Sequence, residues 1–94
     1  MKTVWKSVIP VDDNVHKVTM PANANIVHVE TQYVADAVTM WYEVDPNATE
    51  FKDRYFRIYG TGHEFAANTK HIGTTVVKQL GGQLVWHLYE EFPS

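Results

Sequence analysis

The sequence contains no cysteine, so it forms no disulfide and offers no thiolate for catalysis or metal binding. Small secreted domains often carry disulfide staples, and their absence favours an intracellular setting. Long apolar runs are missing as well. No window approaches the roughly 18 apolar residues of a membrane-spanning helix, and the opening MKTVWKSVIPVDD has no apolar stretch of secretory length. The expectation is a soluble, cytosolic protein that does not engage a membrane. Basic charge is not in excess: 8 Lys and Arg stand against 11 Asp and Glu, for a net charge of -3. A field of that sign repels polyanions, so nucleic acid is not an expected partner.

The usual catalytic groups are also sparse. Serine occurs only as Ser7 and Ser94, neither in a nucleophile elbow. The carboxylates Glu43, Asp45, Asp53, Glu64, Glu90 and Glu91 are scattered, with no spacing that predicts a paired-carboxylate site. No enzyme activity and no cofactor are expected. Asn47, Ala48 and Thr49 fit a glycosylation sequon, but without a signal peptide the triplet reads as a turn after Asp45-Pro46.

What is present is apolar and aromatic. The 94 residues are 45% hydrophobic and 13% aromatic, enough for one domain with a modest core and unlike the profile of disordered chains. Short runs rich in β-formers are separated by turn residues: Thr3 to Ile9, Val15 to Met20, Ile26 to Gln32, Ala37 to Val44, Arg54 to Tyr59, Ile72 to Leu80 and Gln83 to Glu90. The first two read as a hairpin around Asp12, Asp13 and Asn14. In the third, Val27, Val29 and Thr31 alternate with Ile26, His28 and Glu30. The best alternation puts Val38, Met40, Tyr42 and Val44 on one side, the mark of a half-buried strand. Gly81-Gly82 suits a two-residue primed turn, which would set Val77 opposite Trp86 and Thr75 opposite Leu88. One short helical turn fits only within His63 to Lys70. The expected fold is all-β: a small antiparallel sandwich or barrel of about seven short strands.

The residues Phe56-Arg57-Ile58, Gly60-Thr61-Gly62-His63, Ile72-Gly73-Thr74 and Val85-Trp86-His87-Leu88-Tyr89-Glu90 resemble a pattern of small proteins of unknown function from tailed bacteriophages. The resemblance runs through the chain, including Val4-Trp5-Lys6, Met20-Pro21 and Val44-Asp45-Pro46. It implies a protein acting in the cytoplasm of an infected bacterium and carries no catalytic residues with it.

Five histidines, His16, His28, His63, His71 and His87, invite a metal reading. No pair has the i, i+2 spacing of one strand face or the i, i+4 spacing of a helical zinc motif. No metal site is expected. His87, in mid-strand, reads as a satisfied structural histidine. Gly60-Thr61-Gly62 begins like a phosphate cradle, yet completes neither glycine-rich signature, and a tight turn or bulge is the simpler reading. Arg54 and Arg57 fall on opposite faces of an alternating strand. The candidate binding residues are therefore Arg57, Gly60, Thr61, Gly62, His63, Lys70 and His71, in or beside a polar loop from Gly60 to Gly73. Three functions fit. The first is an interaction protein that binds a host protein, since aromatics are favoured interface anchors. The second is a binder of a small anionic ligand such as a nucleotide, and the third a minor virion component. Open sheet edges also predict a homo-oligomer, most simply a dimer.

Overall fold

The computed structural model describes residues 1–31, 36–65, 68–79 and 82–92. These form seven strands: β1 (Thr3–Pro10), β2 (His16–Pro21), β3 (Asn25–Glu30), β4 (Ala37–Val44), β5 (Phe51–Gly60), β6 (Thr69–Gln79) and β7 (Gly82–Glu91). They divide into a three-stranded sheet, ordered β1-β4-β3, and a four-stranded sheet, ordered β2-β5-β7-β6. Every pairing is antiparallel. Two separate sheets make this a β-sandwich, which resolves the choice against a closed barrel.

The core follows from the period-2 patterning. Val38, Met40, Tyr42 and Val44 of β4 are all buried, and with Ile9 of the same sheet they form one cluster with Met20, Phe56, Ile58 and Leu88 of the other. Arg54 reaches this interior with its charge paired: Nε and Nη2 donate to the two carboxylate oxygens of Glu90, at 2.8 and 2.6 Å. Its Nη1 donates to the Ala24 carbonyl at 3.1 Å, so one guanidinium ties β5, β7 and the chain leading into β3. A bidentate pair of this kind is the arrangement that lets two charges be buried together.

Four expectations need correction. β1 and β2 are not a hairpin: β1 pairs with β4 and β2 with β5, so the Asp12 turn carries the chain from one sheet to the other. Turn residues mark a reversal of direction but not sheet membership. In β3 the simple alternation fails, because a bulge between Ile26 and His28 shifts the phase. Ile26 and Val29 both pack on the core, leaving Val27 outside. In the last hairpin Gln79 stands opposite Gly82, which places Gly82 in β7, while Gly81 lies outside the described residues. Thr75 therefore faces Trp86, and Val77 faces Leu84. A two-residue slip keeps every side chain on its own face, so the hydrophobic pattern could not exclude it. The fourth concerns His63 to Lys70: residues 63–65 are irregular, Thr69 and Lys70 already belong to β6, and residues 66–67 lie outside the described set.

Between the two sheets, β3 packs directly against β6. A Cβ on Gly73 would lie 2.8 Å from the Val29 side chain, so only glycine fits there without displacement. Beside it the Thr31 backbone N–H donates to Thr75 Oγ1 at 3.1 Å.

Candidate functional site

The outer face of the four-stranded sheet gathers most of the polar and aromatic residues singled out from the sequence. Gly60 ends β5 in a β-turn, with the His63 N–H donating to the Gly60 carbonyl at 3.2 Å. Gly62 occupies the third position with φ of 90°, the left-handed conformation that a type II turn requires there. The Gly60 N–H donates to His63 Nδ1 at 3.1 Å, so the neutral imidazole carries its proton on Nε2. Gly60-Thr61-Gly62-His63 is thus a closed turn whose N–H groups at Gly60 and His63 are already used, not a cradle for phosphate.

Thr61 leads into a chain of hydrogen bonds along the sheet. Its Oγ1 lies 2.9 Å from His87 Nε2, His87 Nδ1 lies 3.0 Å from Thr74 Oγ1, and Thr74 Oγ1 lies 2.8 Å from His71 Nε2. Thr74 has one hydroxyl proton for two imidazole contacts, so at least one histidine donates to it. His71 and Thr74 share this face because β6 is bulged between His71 and Gly73. Strict alternation would have sent them to opposite sides.

An aromatic cluster adjoins this chain. Phe65 folds back over the sheet with ring centroids 4.5 Å from Tyr59 and 4.6 Å from Tyr89. His71 meets Tyr89 edge-on at 5.2 Å. Phe65 is 44% exposed and Tyr59 is buried beneath it. Tyr59 Oη donates to Glu91 Oε1 at 2.7 Å. Burial, then the hydrogen bond to Glu91 and its negative charge, push the phenol pKa up to about 12. Arg57 Nε lies 3.0 Å from the same Glu91 oxygen but is not aligned to hydrogen-bond it, so the contact is a charge pair.

A cleft of about 340 Å³ opens beside this cluster, lined by Asp13, Arg57, Ile58, Tyr59, His63 and Glu64. It exists because β5 outruns its neighbour: the pairing with β2 ends at His16 opposite Phe56, and no β2 residue stands opposite Ile58.

The structure therefore brings Arg57 and His63 to one cleft and Thr61 and His71 to one hydrogen-bonded chain. Lys70, His71 and Gly73 lie in β6 rather than in a loop, and Lys70 is exposed outside that chain. Sequence reasoning did not single out Thr74, Tyr59, Phe65, Tyr89 or Glu91; it read His87 as a satisfied histidine, and the hydroxyls of Thr61 and Thr74 are its partners. The alternation of Tyr55, Arg57 and Tyr59 and of Val85, His87 and Tyr89 was visible, but the pairing of β5 with β7 that joins these rows was not. Among the described residues, no three His, Asp or Glu side chains converge in a way that could hold a metal ion.

No curated protein and no solved structure matches this chain. A family model does, across residues 1–94, and the chain belongs to that family, described as Domain of unknown function (DUF7352).

Proposed function

We propose that the protein is a binding module, phage-encoded as its sequence resemblance implies, that captures a host protein in the infected cytoplasm through the outer face of its four-stranded sheet. The observation that carries this reading is the half-exposed Phe65 stacked on Tyr59 and Tyr89, with the Arg57–Glu91 pair and the His71–Thr74–His87–Thr61 chain beside it. A rigid aromatic patch with a polar rim is the usual anatomy of an interface anchor. Phe65→Ala should abolish recovery of a stoichiometric partner from host lysate, with the melting temperature within a few degrees of wild type. Repeated recovery of nothing specific by the wild type, or undiminished recovery by the variant, would count against the proposal.

A second reading, a small anionic ligand such as a nucleotide, has the cleft beside Arg57 and His63 in its favour. Against it, Glu91 already faces Arg57, and Asp13 and Glu64 bring two further carboxylates to the same walls. A thermal-shift screen of mono-, di- and cyclic nucleotides separates the two readings, because a specific ligand raises the midpoint by mass action.

A further inference from the structure

We propose that the cleft beside the aromatic cluster is a strand-addition site, which takes a short extended segment of the captured partner and pairs it antiparallel with β5 at Ile58. The inference rests on the capture reading above and names how the partner is held.

The ladder states which backbone groups are free. In an antiparallel pair both polar groups of a residue point the same way, and alternate residues point oppositely. The Phe92 N–H donates to the Asn68 carbonyl at 3.0 Å, so the even-numbered residues of β7 bond to β6 and the odd-numbered ones to β5. Tyr89 stands opposite Arg57 and His87 opposite Tyr59. Arg57 and Tyr59 therefore bond to β7, while Phe56, Ile58 and Gly60 turn N–H and C=O towards the β2 side. Two further observations agree with this phase. The Ala22 N–H donates to the Glu50 carbonyl at 3.0 Å, in register with His16 opposite Phe56, and Gly60 bonds through both its groups to His63.

Phe56 is thus met by His16 and Gly60 by His63, and Ile58 between them is left over. Continuing the line of β2 would put Asn14 opposite Ile58, but the Asn14 N–H donates to Asp12 Oδ1 at 2.9 Å, because the chain has already entered its turn. Among the described residues nothing bonds the N–H or C=O of Ile58. A free backbone pair on a strand edge is what an extended peptide docks on.

The gap also sets the character of the segment. Positions opposite Arg57, Ile58 and Tyr59 are open, which is about 10 Å of strand. The residue facing Ile58 puts its side chain on the inner face, beside the buried cluster that Ile58 joins, so it is apolar. Its two neighbours project onto the outer face beside Arg57 and Tyr59 and continue the aromatic patch. Asp13 and Glu64 line the cleft and are exposed. Among the described residues neither carboxylate is in an ion pair, whereas Arg57 is matched by Glu91. The surplus charge is negative, so basic residues flank the segment.

The probe is a capped peptide, acetyl-Lys-Thr-Val-Thr-Lys-amide, followed by amide exchange in isotope-labelled protein. Without peptide, the Ile58 amide should exchange about tenfold or more faster than those of Arg57 and Tyr59, and saturating peptide should remove that difference. Methylating the backbone nitrogen of the central valine deletes the donor to the Ile58 carbonyl and should weaken binding about tenfold or more. The same change on the threonine before it, whose N–H points away from β5, should leave affinity within about twofold. Asp13→Lys with Glu64→Lys, both at exposed positions, should keep the melting temperature and weaken binding about tenfold or more. An Ile58 amide as protected as its neighbours in the free protein overturns the proposal. So does a peptide that fails to bind at millimolar concentration, or one indifferent to methylation at the central valine or to the two charge reversals. Recovery of a host partner through Phe65 alongside any of those results leaves the capture reading standing and removes only this site. Peptide binding at Ile58 with no host partner recovered does the reverse.

Discussion

Tyr59 shows how one residue on the outer face links surface to stability. Its ring is covered by Phe65 and its hydroxyl is held by Glu91, so its phenol pKa rises from 10.0 to about 12 in the folded chain. Ionisation is then easier in the unfolded state. Between pH 10 and 12 the folded form binds the extra proton, and stability must fall as pH rises through that window. The contribution is fully present below the unfolded value and lost above the folded one. An absorbance titration at the phenolate band should show one of the five tyrosines ionising last, and Tyr59→Phe should remove that late step. A late step that survives the substitution would assign the raised pKa to another tyrosine.

At the scale of elements, all seven strands were legible in the sequence, as was the buried row of β4, because a half-covered strand writes its face into every second residue. Sheet membership was not legible, since the Asp12 turn signals a reversal whichever sheet receives the chain. The two bulges were equally silent. Each inserts a phase change that period-2 reading cannot detect, and one of them places His71 beside Thr74 and so assembles the polar chain. The Arg54–Glu90 pair was hidden for a related reason: Arg54 was assigned a face, but its partner lies on β7, whose pairing with β5 depends on the whole topology. This pair should behave as a buried clamp between the two strands, with Arg54 and Glu90 side chains only 16% and 6% exposed. Arg54→Met leaves the carboxylate unpaired and should cost roughly 3–5 kcal/mol in urea denaturation. The double variant Arg54→Met with Glu90→Leu should be more stable than Arg54→Met alone, because no buried charge is then left without a partner. Equal stability of the two would mean that the interior is wetter than the geometry implies.

The whole molecule measures 46 × 30 × 16 Å with a radius of gyration of 13.9 Å, against about 12 Å for a compact domain of this length. It is a thin slab of two layers, and its buried cluster takes side chains from both. Neither sheet retains a covered face without the other, so the sheets should unfold as one unit rather than in turn. The chain order reinforces this. β1 closes on β4 across two intervening strands and β2 on β5 likewise, so neither sheet is complete until distant segments meet. Folding should accordingly fall in the milliseconds-to-seconds range of non-local β topologies. The three tryptophans allow a direct test, because Trp41 lies in the three-stranded sheet and Trp86 in the four-stranded one. With Trp5→Phe in both backgrounds, a protein retaining only Trp41 and another retaining only Trp86 should each give one denaturation midpoint by fluorescence. Each midpoint should coincide with that protein's own midpoint by far-ultraviolet circular dichroism at the same concentration. Loss of the Trp41 signal ahead of the ellipticity would show that the three-stranded sheet detaches first, and that the interface between the layers is weaker than the core packing implies.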